Sequence, residues 1–331
     1  MDKKINLYIN KLILLCRKIP IIGEILILLK NIYKNESRLQ KIKNIDFNAF
    51  NEIKLINSQL YKNFTGDELD WNNLSSFSEK MQYAKLFDRN IQKVYLADKI
   101  KVYNWVKEKL GEIYLIPLIG IYNKISEIKW KNLPESFVIK TNCASGDTII
   151  VKSKSQLSYL KKLIIKQKIN YSIKTDYGKL LMEWHYSQIN PRKIIISKYI
   201  EGGETGLIDY KFFCFQGQPL FCQVETDRFG DRKVDLYDLN WNKLSWNQQG
   251  YKSSDNIMEK PQNFKKMIDI VKILSVSFSH VRVDLFNLNG NIYFGEMSFT
   301  NESGFRKFIP EDINIALGKL WNMNMNETIL K

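Results

Sequence analysis

Apolar residues run through this chain with two different periods. Between residues 46 and 112 they recur at roughly helical spacing, as in Leu86, Val94, Leu96, Ile100, Val102 and Val106, and Gly111 stops the run. Beyond Gly111 the pattern shortens. YLIPLIGIY (114–122) is apolar and β-branched, broken by Pro117; SFVIK (136–140) and DTIIVK (147–152) are short β-rich runs joined by the turn-forming TNCASG. Residues 153–190 return to helical or irregular character and are rich in lysine. KIIISKYI (193–200) reads as a buried strand, and EGGETG (201–206) as a flexible link. DYKFFCF, QGQP and LFCQVET predict a hairpin, residues 262–277 a helix, and VRVDLF, NLNG and NIYFGEMSF a second hairpin; 311–322 is expected to be helical. This order predicts four parts: an N-terminal segment (1–45), a helical N-lobe (46–112), a small α+β lobe (113–200) and a larger sheet with a covering helix (201–331). The expected class is α+β, with two lobes closing on a ligand.

The N-terminal segment departs from these periods. Residues 12–29, LILLCRKIPIIGEILILL, are strongly apolar but broken by Arg17, Lys18 and Glu24, with Pro20 and Gly23 between. That excludes an uninterrupted transmembrane run and a signal-peptide core. Ten basic residues face three acidic ones in 1–45, nearly half of a net charge of +15. Two readings stay open: contact with an anionic bilayer surface, or a helical pair packed on the main domain. A charge so placed, beside an apolar segment and not a base-stacking platform, argues against nucleic acid. With 44% apolar residues in 331 the chain can bury a sizeable core. Cys16, Cys143, Cys214 and Cys222 form no CxxC pair, and His185 and His280 lie in different segments, which argues against structural zinc or a disulfide framework and for a reducing cytosol.

Candidate chemistry gathers at a few positions. Asp284 and Glu296 stand twelve residues apart across NLNG. A two-residue Asn289–Gly290 loop would pair Asp284 with Gly295 and put the two acids on opposite faces. A three-residue loop, Leu288–Asn289–Gly290, would put Arg282, Asp284, Glu296 and Ser298 on one face, with the acids as diagonal neighbours able to share Mg²⁺. Lys140 leaves a strand ahead of a loop holding Ser145 and Gly146, able to place an ammonium and backbone N–H groups near phosphates. Lys211 shares a strand face with Phe213 and Phe215, and Arg228 and Arg232 form a basic loop that could clamp a carboxylate or phosphate. His185, between aromatics in EWHY, reads as structural. Each position has a plain alternative, such as a solvated hairpin face, a strand-end lysine or a solvated loop; their order along the chain carries more.

SSFSEKMQYAKLFDRN, ADKIKVYNWVKEKLGEIYLIPLIG, FVIKTNCASGDTIIV, DYKFFCFQGQPLFCQVETDRF, YDLNWNKL and VRVDLFNLNGNIYFGEMSFT resemble the TupA-like ATP-grasp family of bacterial surface-polysaccharide biosynthesis, from about Phe77 to Leu320. The resemblance implies an ATP-grasp fold with ATP and Mg²⁺. It implies Lys99 and Lys140 as phosphate contacts, Ser145 and Gly146 in the covering loop, Ser197, Lys198, Tyr199 and Ile200 as the adenine hinge and Glu201 at the ribose. Lys211 and Arg282 would be catalytic cations, Arg228 and Arg232 acceptor contacts, and Asp284, Glu296 and Ser298 metal ligands, Ser298 standing where the family usually has Asn. Also implied is a cytoplasmic carboxylate–amine ligase working through an acyl phosphate on a glycan or lipid-linked glycan, at the inner face of the plasma membrane if residues 1–45 reach it. A kinase or a glycosyltransferase of the same biosynthesis is the alternative; Asp235 and Asp238 stand close together but form no DxD at a strand end.

Overall fold

The computed structural model describes residues 20–42, 44–202, 207–227, 230–323 and 325. In chain order its helices are α1 (Pro20–Lys41), α2 (Phe50–Thr65), α3 (Phe77–Phe87), α4 (Ile91–Ala97), α5 (Lys99–Leu110), α6 (Tyr159–Lys174), α7 (Phe264–Ser275) and α8 (Glu311–Leu320), besides short helical turns. The strands are β1 (Leu118–Tyr122), β2 (Phe137–Thr141), β3 (Ile149–Val151), β4 (Ile194–Lys198), β5 (Asp209–Phe215), β6 (Gln218–Thr226), β7 (Lys233–Asp238), β8 (Asn247–Gln248), β9 (His280–Leu288), β10 (Asn291–Ser298) and β11 (Phe308–Ile309). Local chemistry explains many of the boundaries. Ser76 and Glu79 form a capping box at the start of α3, and the Asp98 carboxylate accepts from Ile100 N at 2.9 Å at the start of α5. Gly66 and Gly111 end α2 and α5 with φ of 86° and 95°.

The chain divides into two compact units, and the division corrects the predicted one. Residues 46–116 belong with 181–188 and 200–331, so helices α2 to α5 are part of the larger unit and not a lobe of their own. The smaller unit takes in 117–180 and 189–199 together with the described part of the N-terminal segment, from Pro20 on. Its sheet has the order β1-β4-β2-β3 with antiparallel pairing throughout. One face, with Phe137, Ile139, Ile194 and Ile196, packs on Ile165 and Ile169 of α6.

The larger unit is built on an antiparallel sheet of order β10-β9-β5-β6-β7. Strand β7 and the short β8–β11 pair lie outside the predicted strands. On one face Phe212 stacks on Phe264 of α7. The other face is divided along its length. Phe213, Phe221 and Leu236 join Phe77, Met81, Phe308, Leu317 and Trp321 in a core under α3 and α8. Farther along the same strand faces stand Lys211, Gln223, Glu225 and Asp284. Helix α3 is buried nearly all round, so its polar side chains need partners. Gln82 donates to Ser303 O at 3.2 Å and Gly304 O at 3.1 Å, and Lys85 donates to Ser303 O at 3.2 Å.

Helix α8 meets the start of α3 so closely that a Cβ on Gly318 would lie 2.1 Å from Ser75 O. Gly318→Ala raises helix propensity by about 1 kcal/mol, yet it should lower stability by about 2 kcal/mol because the backbone must move. Urea unfolding followed by tryptophan fluorescence measures it; an unchanged midpoint would refute the close packing.

Candidate functional site

The last hairpin sets the geometry. Leu288 pairs with Asn291, so the loop is the two-residue Asn289–Gly290, with φ of 50° and 82°, and not the three-residue loop expected. On that register alone Asp284 would face Gly295. A bulge intervenes: Phe294 pairs with Leu285, Glu296 pairs with Asp284, and Gly295 is the extra residue. Asp284 and Glu296 therefore stand directly opposite each other on one face, with Arg282 opposite Ser298. A Cβ on Gly295 would lie 3.0 Å from Asp284 O and 3.3 Å from the Phe286 ring, so the bulge favours glycine.

Arg282 is the hub of this face. Its Nε and NH2 donate to the two Asp284 oxygens at 2.7 Å each. NH2 also donates to Ser298 Oγ at 3.1 Å and Glu296 Oε1 at 3.2 Å, while NH1 donates to Asn301 Oδ1. Burial pushes the Asp284 carboxyl up to about 6, against the pull of Arg282 and Lys211. Burial opposes the charge on Arg282 too, but Asp284 and Glu296 outweigh it and hold the guanidinium protonated. The segment after β10 brings Asn301 to this hub through a left-handed turn at Glu302, Ser303 and Gly304. The buried Glu183 carboxylate fastens that turn, accepting from Thr300 Oγ1 at 2.6 Å and Ser303 Oγ at 2.7 Å.

Opposite Asp284 on β5 is Lys211, which is buried and bonds Glu225 Oε1 at 2.5 Å. The same oxygen accepts from Arg232 NH2 at 2.6 Å and Gln223 Nε2 at 3.0 Å. Burial would raise the Glu225 carboxyl, but Lys211 and Arg232 prevail and hold it down at about 2. Arg232 also donates to the Tyr251 hydroxyl at 3.1 Å, which donates to Glu302 Oε1 at 2.8 Å. The Arg232 and Arg306 guanidiniums lie 4.7 and 4.1 Å from the Tyr251 ring centre. Polar contacts link Glu302, Tyr251, Arg232, Glu225 and Lys211 in series, and Glu302 follows Asn301, the acceptor of Arg282 NH1, in the chain. Sequence reasoning missed Glu225, Tyr251, Asn301 and Arg306 as members. Glu225 and Gln223 share the strand period of β6, a signal present in the sequence; Tyr251 and Arg306 come from loops and left none.

In the smaller unit, Lys140 and Ser197 lie on the sheet face away from Phe137 and Ile139, beside Val138, Ile150 and Ile195. The loop after β2 is latched by Asp147, whose carboxylate accepts from Thr141 N at 2.8 Å and Thr141 Oγ1 at 2.5 Å. Ser145 and Gly146 form its exposed tip, Gly146 with φ of 74°. Lys198 ends β4, exposed, and Tyr199 and Ile200 follow, half-buried; Glu201 is exposed. Lys99 opens α5 in the larger unit, so the two lysines grouped by sequence belong to different units. Arg228 lies outside the described residues. His185 is buried and pushed down to about 3 by burial, hence neutral. Asp235 is ion-paired with Lys243 at 2.8 Å, and Asp238 caps the turn at Asn240 and Asn242, so neither is arranged as a nucleotide-sugar metal motif.

The sequence profile of the TupA-like ATPgrasp family matches residues 79–322, a span that includes Lys99, Lys140, Lys211 and the whole Arg282 hub. The chain belongs to this family. The TupA-like protein accordingly has the α+β ATP-grasp fold. No curated protein matches it. Among solved structures it is similar to D-alanine–D-alanine ligase from Bacillus anthracis complexed with ATP (15% identity, 62% of this chain and 53% of that one, TM-score 0.35). It is also similar to D-alanine–D-alanine ligase from Helicobacter pylori (14%, 75% and 70%, 0.36) and phosphoribosylamine–glycine ligase from Thermotoga maritima (12%, 65% and 52%, 0.37). The chain spans about half the length of the first of these. At such scores the assignment rests on the family match.

The family implies a magnesium ion, and the donors fit one. Among the described residues no three His, Cys, Asp or Glu side chains come together. Two carboxylates and a hydroxyl make an all-oxygen set, suited to an ion that takes its remaining ligands from water and phosphate.

The Glu225 contacts of the TupA-like protein predict a pH-dependent stability. A carboxyl held below its ordinary 4.5 adds stability above that value and loses it as pH falls toward about 2. Glu225→Gln should cost about 2 kcal/mol at pH 7, discounted for the part-exposed Arg232, and the gap to wild type should close through that window. Chemical denaturation of both proteins along a pH series measures it; a pH-independent gap would contradict the ion pairs.

Proposed function

We propose that the chain is an ADP-forming, ATP-dependent carboxylate–amine ligase. The observation that carries this reading is the Arg282 hub, which holds two acids face to face opposite a buried lysine. Such a site neutralises and positions phosphates without covalent help from the protein. A carboxylate of the acceptor attacks the γ-phosphoryl of ATP, forming an acyl phosphate and ADP; an amine then displaces phosphate and leaves an amide. Asp284, Glu296 and Ser298 would hold a magnesium ion, which would supply positive charge to the phosphates. Arg282 orients both acids, and Lys211, in reach of Asp209 (3.9 Å) and Glu225, supplies a fixed positive charge beside them. On the nucleotide side the family resemblance assigns Lys99, Lys140, the Ser145–Gly146 tip, Ser197 to Ile200, and Glu201. Arg232, with Arg228, takes an anionic group of the acceptor.

The finer reading is that the acceptor is a bacterial surface polysaccharide or its lipid-linked precursor, joined to an amino acid or peptide at the inner face of the membrane. It is supported by the family resemblance and the basic N-terminal segment. No helix among the described residues is long and apolar enough to cross a membrane.

The test is an acceptor screen with ATP and magnesium, read by nucleotide and by product mass. ADP with an amide product is expected; AMP, or a phosphorylated product, would overturn the ligase reading. Asp284→Asn and Glu296→Gln should each lower ADP release by about 10²-fold or more. Turnover like wild type in both would remove the metal assignment.

A further inference from the structure

The positive charge of this protein is segregated. Residues 20–45, 117–180 and 189–199, the smaller unit without its first nineteen residues, hold 20 basic and 6 acidic side chains. The larger unit holds 25 basic and 28 acidic ones, so none of the +15 originates there. Within the smaller unit the charge concentrates on two helices that pack together, α1 and α6. Helix α6 carries Lys161, Lys162, Lys166, Lys168 and Lys174 and no acid. Helix α1 carries Lys30, Lys34, Arg38 and Lys41 against Glu24 and Glu36. Glu24 is spent internally, bonded to Lys161 and 3.9 Å from Lys168, so it ties the helices together instead of opposing their charge. Large apolar side chains stand exposed on the same two helices: Ile27 at 47%, in line with Lys34 and Lys41 at seven-residue spacing, Leu29 and Tyr33 on the other side of α1 at 55% and 44%, and at the start of α6 Tyr159 at 76% and Leu160 at 53%.

We propose that α1 and α6 together form a docking face for an anionic lipid bilayer. The inference rests on the membrane-side part of the reading above, not on the ligase chemistry. Charge alone would suit any polyanion. The aliphatic Ile27 and Leu160 decide for lipid: they gain nothing against a phosphate polymer but can enter the headgroup–acyl boundary beside lysines that meet anionic headgroups. Helix α6, which the N-terminal sequence gives no reason to include, adds five lysines and no acid, Lys174 the most exposed of them.

The experiment is co-sedimentation of the full chain with vesicles of phosphatidylcholine alone and of phosphatidylcholine mixed with phosphatidylglycerol. Binding is expected on the mixed vesicles and weakened by salt. Lys162→Gln, Lys166→Gln and Lys174→Gln combined should lower the partition coefficient about tenfold or more. Ile27→Ser with Leu160→Ser should weaken what remains in high salt. An unchanged melting temperature shows that each variant is folded. Lysine variants that bind like wild type would overturn the part assigned to α6. Binding to polyuridylate or heparin without vesicle binding would make the face a polymer site and overturn the proposal. Because no turnover is read, either result is independent of whether the ligase reading holds.

Discussion

A guanidinium that cannot shed its proton, buried beneath a sheet, must be surrounded by acceptors. Arg282 is such a group, and the architecture of the larger unit answers to it. Its acceptors come from its own strand, from the neighbouring β10 and from the segment beyond β10. That last contribution fixes the path of the chain after the strand. The residues that follow Asn301 turn left-handed, and that costly turn is held by Glu183 and by Gln82 and Lys85 of α3. The burial of polar side chains on α3 and the geometry of the acidic pair thus belong to one problem in charge compensation.

Much of this was legible in the sequence, for physical reasons. Helices ending at Gly111 and strands alternating as in DYKFFCF obey local periodicity, which needs no tertiary information. The acidic pair was legible as residues but not as geometry: the loop at Asn289–Gly290 and the bulge at Gly295 each shift the faces, and periodicity counts neither. Partners brought in from loops were invisible. Arg306 and Tyr251 meet Arg232 through segments whose course depends on β8 and β11, two-residue strands too short to leave a pattern. The grouping of helices α2 to α5 with the C-terminal sheet was missed because contacts such as that of α3 with α8 join residues more than two hundred positions apart.

Charge tells a parallel story. A net excess read over the whole chain describes neither unit. The larger unit is close to balanced, as a site managing phosphates and acids through paired charges has to be. The smaller one carries the surplus on helices whose inner faces are ordinary core, with Ile165 and Ile169 against the sheet. Helix α6 serves the core with a few apolar side chains and carries its five lysines with no acid on the same helix.

The bulge at Gly295 amounts to a parity correction. A two-residue turn and an uninterrupted ladder would set the second acid to the wrong side by one residue, and one extra residue restores it. Losing that residue from the strand and gaining one in the turn would leave the acids facing as they do now, although the two sequences would align poorly at this point. Lineages sharing this chemistry can therefore differ in hairpin length in compensated pairs, and the spacing between the two carboxylates is informative only with the turn and the bulge counted together.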